Sequence, residues 1–342
     1  MPSRTHSRTT FVFLAVVVAV AGLVVKGGAV TGTARARVGA ESPPVAGHEA
    51  VAEERVVARW RFRVVSKPVK VVLLAGSVGA YQRKSYAYWM GEQCQNVELR
   101  NLSKTGYGAY KLRRHFQEQV LDNPRVRTHD ARYEFWLVFQ GGLNSIAEPQ
   151  RTNYHLHRMF QLAHRHGFHV LGLSPTPWGD DRDRRRWAGA RGLAYRGYTQ
   201  RVVDFLLGRL GPEEALGRYA SKRKVGADAP WEHEELADIG VDLYNSRLRD
   251  AMARARSLEQ TRAIIAADPK WRQNHLSLSA SQRAVALDRD TDAASRLPQW
   301  YLRPELRSFD HIHPNELGHR MMFDVMCGSL PRSWGCACGD AP

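Results

Sequence analysis

The sequence predicts an α/β protein built on a doubly wound parallel sheet, and three observations predict it. Strand-length runs of β-branched, aromatic and other apolar residues alternate with helix-length amphipathic segments from residue 69 to residue 174. These runs are apolar at nearly every position, which is typical of strands covered on both faces. Small or polar residues follow directly where several runs end. Such ends are where ligands bind in parallel sheets.

The first predicted strand ends at a candidate nucleophile. The apolar run from Val69 to Leu74 stops at Ala75-Gly76-Ser77-Val78-Gly79. The small residues on either side would present the hydroxyl of Ser77 at the tip of a buried strand, where a ligand would bind. Taken alone, these residues equally describe a tight turn between a strand and a helix.

The units that follow are predicted in order from their periodicity. They are a helix over 86–93, a strand over 97–102, a helix over 110–121, a strand over 135–139, a helix over 153–166 and a strand over 169–174. Pro175 and Pro177 end the last of these strands. Before the core, the imperfect alternation of Trp60, Phe62, Val64 and Val65 favours an additional edge strand.

Residues 179–298 carry the weakest pattern. We interpret about 208–295 as a helical insertion before the last functional block, in the position of a cap over the site. The spacing of Tyr244, Leu248, Met252 and Ala255 predicts a helix that packs into the core or a lid.

A second candidate group lies near the C-terminus. Asp310 precedes His313 by three residues, and Pro314 closes the local turn. The carboxylate of Asp310 could hold the imidazole in one tautomer while the other ring nitrogen faces a serine hydroxyl. The two ends of the domain therefore predict a Ser-His-Asp arrangement for acyl transfer.

Four blocks, in this order, resemble those of the SGNH (GDSL-type) hydrolases, a family of esterases and lipases with a flavodoxin-like sheet. The blocks are Ala75-Gly76-Ser77, Asn101 to Gly108, Gly142 to Ser145, and Asp310 to Asn315. The resemblance extends over residues 68–178 and 299–326.

The resemblance implies cleavage of carboxylic (O-acyl) esters without a cofactor. Ser77 would be the nucleophile, His313 the general base and then acid, and Asp310 the residue that orients the imidazole. The oxyanion hole would consist of the backbone N–H groups of Ser77 and Gly106 and the side-chain amide of Asn144.

Two departures from the family pattern leave other hypotheses open. Gly76 stands where the family has the aspartate of Gly-Asp-Ser, and Ser145 stands where the third block often has aspartate. The missing aspartate motivates a second hypothesis, a catalytically inactive binding or assembly protein of the cell envelope with the same fold. A third is an α/β-hydrolase, although Ala75 breaks the Gly-x-Ser-x-Gly elbow. A dinucleotide-binding protein is disfavoured because the Gly-x-Gly-x-x-Gly pattern is missing at this strand end.

The N-terminal region is predicted to lie outside the catalytic domain. Residues 1–36 hold an uncharged run, Phe11–Val25, between basic residues, which is typical of a signal peptide or of an N-terminal membrane anchor. Residues 37–67 form a linker, 68–330 the hydrolase-like domain, and 331–342 a cysteine-containing tail. We therefore expect a periplasmic, secreted or membrane-anchored protein.

The cysteines favour an oxidising compartment. Cys94, Cys327, Cys336 and Cys338 can form two disulfides with three connectivities. The Cys-Ala-Cys spacing is unlike that of a zinc or redox motif. Histidines crowd residues 155–169, but the segment has no acid or cysteine at ligand spacing, so no metal site is predicted there.

The net charge of +16 is spread along the chain and is accompanied by no nucleic-acid motif. We interpret it as a solvated basic surface rather than a nucleic-acid interface. It slightly favours anionic polymers among the substrates considered, which are acyl groups on polysaccharide or cell-wall glycan and simple lipid esters.

Overall fold

The described part of the protein contains one six-stranded sheet in the order β1-β6-β5-β4-β2-β3. The computed structural model describes residues 57–58, 67–126, 128–179, 189–252, 256–296 and 301–339. The strands are β1 (Val57–Ala58), β2 (Val69–Ala75), β3 (Val97–Asn101), β4 (Glu134–Gln140), β5 (Phe168–Leu173) and β6 (Ile239–Val241). The five strands β2 to β6 are parallel, and β1 pairs with β6 in the antiparallel direction.

The strand order confirms the predicted flavodoxin-like sheet. From β2 the chain moves outward to β3 and then returns to β4 on the other side of β2. The connections reverse direction between β2 and β4, and a crevice opens at the carboxyl ends of strands at such a point. The segments that follow β2 and β4 hold Ser77 and Asn144 respectively.

Helices cover both faces of the sheet. They are α1 (Tyr86–Gln93), α2 (Ala109–Phe116), α3 (Pro149–Arg165), α4 (Gly189–Leu206), α5 (Pro212–Leu216), α6 (Leu258–Ala267), α7 (Pro269–Asn274), α8 (Ala280–Ser295) and α9 (Glu316–Cys327). One buried cluster joins one sheet face to α1 and α9, and a second joins the other face to α2, α3 and α4.

Strand β2 shows how the apolar runs build these two layers. Val71 and Leu73 belong to the cluster with α1 and α9, whereas Val72 and Leu74 belong to the cluster with α2 and α3. Because both faces of the strand are buried, alternation in the sequence is lost and the run is continuously apolar. The central strand β4 is likewise buried at every position.

The segment expected to be a helical insertion differs from the prediction. It contains β6, a three-residue strand with a glycine at its centre, which is too short to produce a periodic signal. The helix predicted through Tyr244 and Leu248 is wrong. Asp242 and Ser246 instead accept hydrogen bonds from nearby main-chain N–H groups. Such side-chain acceptors compete with helical hydrogen bonds and favour turns.

The C-terminal residues are tied to the connection between α1 and β3. Of the three connectivities, the structure has Cys94–Cys336 and Cys327–Cys338. Trp334 is fully buried and meets Trp136 of β4 edge-on, with ring centroids 5.4 Å apart. The tail therefore contributes to the core.

Several predictions concern residues outside the described ones. They are the signal or anchor at 1–36, most of the linker at 37–67, and the edge strand at 60–65. Among the described residues, no helix combines the length and the hydropathy needed to cross a membrane.

His319 of α9 makes the fold sensitive to acid. Its ring is fully buried, stacks on Tyr81 at 4.5 Å between centroids, and neither ring nitrogen has a hydrogen-bond partner among the described residues. Burial, with a smaller contribution from His313, lowers the pKa of His319 to about 3. The unfolded chain therefore takes up a proton below pH ~6.5 that the folded chain excludes, so stability falls as the pH drops from ~6.5 towards 3.

We expect His319→Phe to reduce this acid sensitivity, because phenylalanine keeps a buried ring but binds no proton. Between pH 7 and pH 5 the free energy of unfolding should fall by about 2 kcal/mol less than in the wild type. Urea unfolding at both pH values measures the difference, with His275→Phe, in the turn after α7, as a control. An equal fall in wild type and His319→Phe would show that His319 is not the group responsible.

Candidate active site

Ser77, His313 and Asp310 form a continuous hydrogen-bonded line. The Oγ of Ser77 lies 2.6 Å from Nε2 of His313, and Nδ1 of His313 lies 2.5 Å from Oδ2 of Asp310. The serine and the histidine are 236 residues apart in the chain. The structure thus brings together the three side chains that the two ends of the domain suggested.

The turn that carries Ser77 is supported by the last residue of β3 and the segment that follows this strand. The side-chain amide of Asn101 donates to the carbonyl oxygen of Gly79 at 2.9 Å, and the N–H of Ala75 donates to the hydroxyl of Ser103 at 3.0 Å. A Cβ on Gly79 would lie 2.5 Å from that hydroxyl oxygen, so only glycine fits there. The second block therefore positions the first.

The loop that carries Asp310 and His313 is held by the start of α9. Asn315 caps this helix by accepting the N–H of Gly318 at 2.9 Å, and its amide donates to the carbonyl oxygen of Glu305 at 2.8 Å. Gly318 approaches the carbonyl oxygen of Leu306 so closely that a Cβ there would collide with it. The loop that holds the imidazole of His313 is therefore fixed to the start of α9.

The carboxylate of Asp310 is fully engaged in orienting this loop. Its Oδ1 accepts the N–H groups of Ile312 at 3.1 Å and of His313 at 3.0 Å, while Oδ2 faces the imidazole. Partial burial alone would raise the pKa of Asp310, but these hydrogen bonds and the imidazole hold it below its usual range. The side chain is therefore an anion that keeps the Nδ1 proton of His313 in place.

The three proposed oxyanion donors are placed differently. The N–H groups of Ser77 and Gly106 donate to no other described residue. The amide of Asn144 uses one hydrogen on the carbonyl oxygen of Tyr107 at 3.2 Å, which leaves the other available. Asn144 and Tyr107 line the cleft beside Ser77, whereas Gly106 is not among its described lining residues.

The serine at position 145 has a defined structural role. Its hydroxyl accepts the N–H of Ala109 at 3.2 Å, at the start of α2, and the hydroxyl of Thr152 at 2.9 Å. A Cβ on Gly108 would lie 2.8 Å from the Cβ of Ser145, so the two segments pack closely. Ser145 thus links the second block to the third without reaching the triad.

The triad opens into a narrow cleft of about 90 Å³. Its walls come from the ends of β2, β4 and β5 and from the Asp310–His313 loop, and include Tyr107, Gln140, Pro175 and Thr176. Sequence reasoning used Pro175 only as a strand terminator and passed over Thr176. Their place directly after β5, at the carboxyl edge of the sheet, was the signal that could have identified them.

No family model matches the sequence, and no curated protein sequence matches it. Solved structures similar to the chain are described as GDSL proteins and esterases. A lipolytic protein of the G-D-S-L family from Veillonella parvula is 11% identical, and the match covers 76% of this chain and 97% of that chain with a TM-score of 0.40. A GDSL-like lipase from Bacteroides thetaiotaomicron is 14% identical, with 76% of this chain and 86% of that chain covered and a TM-score of 0.40. An acetyl xylan esterase is also 14% identical, with 77% of this chain and 100% of that chain covered and a TM-score of 0.40.

These descriptions name the kind of protein that the four sequence blocks resemble. At identities of 11–14% and TM-scores of 0.40, this likeness carries no argument about what the chain does. The function of the chain has to be inferred from its own side chains.

Gly76, which stands where the resemblance leads one to expect aspartate, has a steric reason in this chain. A Cβ at position 76 would lie 2.8 Å from the Nδ2 atom of Asn144. Any side chain at this position therefore pushes the amide of Asn144 out of its present place.

We expect Gly76→Ala to lower the turnover number for ester hydrolysis by about 10²-fold, because it displaces an oxyanion donor. Asn144→Ala should lower the turnover number at least as much. The double variant should turn over no more slowly than Asn144→Ala, because both changes remove the same interaction. Steady-state hydrolysis by the four proteins measures this. Gly91→Ala, on α1 with open space around its Cβ, is the matched control. If the loss of turnover in the double variant equalled the product of the losses in the two single variants, this explanation would be contradicted.

Proposed function

We propose that this protein is a serine esterase of the SGNH type that cleaves carboxylic O-acyl esters through Ser77, His313 and Asp310. The observation that carries the proposal is the line from the Ser77 hydroxyl through the His313 imidazole to the Asp310 carboxylate, with contacts of 2.6 and 2.5 Å. A serine at a turn is common, but a serine whose hydroxyl meets an imidazole held by a partly buried carboxylate is the arrangement of an activated nucleophile.

The first half of the reaction forms an acyl-enzyme. Asp310 keeps a proton on Nδ1 of His313, so Nε2 has a free lone pair that accepts the Ser77 proton as Oγ attacks the ester carbonyl. The N–H groups of Ser77 and Gly106 and the amide of Asn144 would donate to the oxyanion that forms. When the tetrahedral intermediate collapses, the alcohol leaves with the proton held on Nε2.

The second half releases the acid. A water molecule gives a proton to Nε2 of His313 and attacks the acyl carbonyl, and the same donors stabilise the second oxyanion. Collapse returns the proton to Ser77 Oγ and leaves the free carboxylic acid. Apart from this water molecule, every group that takes part in these steps is a side chain or main-chain group of this chain.

We propose short acyl groups on a solvent-exposed polymer as the substrate class. The cleft of about 90 Å³ is small beside the 300–1,000 Å³ typical of sites that enclose a whole ligand. The lining includes apolar side chains such as Val78, Leu143 and Ile312, so it is the small volume of the cleft that favours a short acyl group over a long one. The basic net charge favours an anionic polysaccharide or cell-wall glycan over a neutral lipid ester.

We also propose that the protein works outside the cytoplasm. The basic residues and apolar run of segment 1–36 support export or anchoring. The two disulfides, which include all four cysteines, are typical of an oxidising compartment.

Hydrolysis of p-nitrophenyl acetate, butyrate and octanoate by the purified chain tests the activity and the acyl size together. We expect acetate to be cleaved with the highest kcat/KM and octanoate with the lowest. Faster cleavage of octanoate would contradict the short-acyl proposal. Failure to cleave any of the esters, together with no reaction with a phosphonate inhibitor, would favour the inactive binding or assembly protein instead.

A further inference from the structure

The amino edge of the sheet carries a cluster of metal-ligating side chains that the esterase mechanism does not use. Nε2 of His164 lies 3.0 Å from Oδ2 of Asp238, and Nε2 of His233 lies 2.6 Å from Oδ1 of the same carboxylate. The two imidazole rings are 4.9 Å apart between centroids. Two histidines from distant segments thus converge on one carboxylate, with all three potential ligand atoms within 4.8 Å of one another.

Asp238 is held rigidly in this arrangement. Its side chain is fully buried, and Oδ2 accepts the main-chain N–H of Val170 at 2.7 Å. The N–H of Asp238 in turn donates to the carbonyl oxygen of Val170 at 2.9 Å. The carboxylate is therefore fixed to the first residues of β5, and its direction does not depend on the two histidines.

The hydrogen bond on the other side of His164 is the one that metal-binding histidines make. Its Nδ1 lies 3.1 Å from the main-chain carbonyl oxygen of Glu234, which can only accept, so Nδ1 carries a proton. Nε2 faces Oδ2 of Asp238 at 3.0 Å, so without a metal ion a proton on Nε2 makes a hydrogen bond to the carboxylate. A metal ion would take the place of that proton, and the carbonyl partner on the far nitrogen keeps Nδ1 protonated, so that Nε2 is the nitrogen that binds the metal.

From this geometry we propose that His164, His233 and Asp238 bind a divalent first-row transition-metal ion, with Zn²⁺ as the best match. Two imidazoles and one carboxylate are a donor set that zinc accepts, with a water molecule completing four-coordination. Glu134 adds a second carboxylate to the surroundings of the site. His169 lies between Glu134 and Asp238, 3.9 Å from a carboxylate oxygen of each.

An ion can reach this site from solvent. The side chain of His233 is 45% exposed, whereas those of His164 and Asp238 are almost completely buried. The exposed ligand would close over an ion already in contact with the two buried ones. With one exposed ligand and two buried ones, the site can bind its ion after the chain has folded.

The location indicates a stabilising role rather than a catalytic one. His164 is on the last turn of α3, and Asp238 directly precedes β6, 74 residues further along the chain. The cluster lies at the amino edge of the sheet, whereas Ser77 lies at the carboxyl edge. A bound ion would therefore join α3 to the segment before β6 without touching the triad.

The separation in the chain also explains why sequence reasoning predicted no metal site. The histidine-rich segment 155–169 supplies His164 alone, and its partners come from residues 233 and 238. Only the pairing of β6 with β5 brings them together.

Zinc binding by the full chain, prepared without a histidine tag and stripped with a chelator, tests the proposal. We expect one Zn²⁺ per chain by calorimetric titration, and a visible absorption band of four-coordinate geometry when Co²⁺ is used instead. Saturating zinc should raise the midpoint of thermal unfolding by about 5 °C. Esterase kcat/KM should be the same with and without zinc.

His233→Ala is the decisive variant, because a half-exposed ring can be removed with little risk to folding. It should weaken zinc binding by about 100-fold or more and abolish the thermal shift. His166→Ala, two residues from His164 and outside the cluster, should bind zinc like the wild type, and so should Ser77→Ala. Equal zinc affinity in wild type and His233→Ala, or no binding below ~100 µM zinc, would overturn the proposal whatever the outcome of the esterase assays.

Discussion

Ser77→Ala should abolish ester hydrolysis, lowering kcat/KM by about 10⁴-fold or more. Among the described residues that line the cleft, Ser77 has the hydroxyl that is hydrogen-bonded to an imidazole in position to take its proton. Without it no acyl-enzyme forms, and only the weak assistance of the oxyanion donors remains. Steady-state hydrolysis of p-nitrophenyl acetate measures the loss.

The same variant should fold normally. Ser77 stands at the end of β2, and its side chain contacts the base rather than the core. The free energy of unfolding should change by less than about 1 kcal/mol. Ser221→Ala, which removes another hydroxyl outside the cleft, should keep full activity. Wild-type turnover in Ser77→Ala would contradict the assignment of the nucleophile.

Asp310→Asn should lower kcat by about 10⁴-fold while leaving KM almost unchanged. The amide that replaces Oδ2 would donate a hydrogen to Nδ1 of His313 and so move the ring proton to Nε2. That nitrogen could then no longer accept the proton of Ser77. Binding of the ester is unaffected because Asp310 does not line the cleft.

The control for this variant is Glu316→Gln. It removes a carboxylate from the same segment, at the start of α9, where the side chain pairs with Lys84 at 3.4 Å. Its kcat should stay within about twofold of wild type, since a single exposed ion pair contributes little. Equal losses in the two variants would indicate that the local charge, and not the tautomer of His313, controls the rate.

The sequence predicted best what depends on neighbours along the chain. Strands buried on both faces have to be continuously apolar, so β2 and β4 were visible as runs. The Asp-x-x-His spacing places Oδ1 of Asp310 on the N–H of His313 within a single turn, which makes this pair local as well. The four blocks then placed the nucleophile and the base at opposite ends of one domain.

What the sequence could not predict depends on contacts across the fold. Strand β6 is held by its pairing with β5 and has too few residues for a pattern. The supporting roles of Asn101, Ser103 and Ser145 consist of hydrogen bonds to main-chain groups, and amides and hydroxyls in loops are common. The cluster of His164, His233 and Asp238 exists only after α3 and β6 are packed.

Gly76 is a residue for which the sequence pattern and the contacts across the fold have to be considered together. As a departure from the Gly-Asp-Ser pattern it motivated the hypothesis of an inactive protein. The structure gives it a local explanation, because the amide of Asn144 occupies the space that a side chain at position 76 would need. The missing aspartate is therefore compatible with an intact set of nucleophile, base and amide donor.

Covalent labelling by a fluorophosphonate, followed by peptide mapping in a mass spectrometer, tests the central claim most directly. The reagent reacts with serine hydroxyls that a neighbouring base has activated, whatever ester the protein uses. We predict one adduct per chain, on the peptide that contains Ser77, and its loss when His313 is replaced by glutamine. An unlabelled Ser77, or labelling that persists in His313→Gln, would contradict a triad of Ser77, His313 and Asp310.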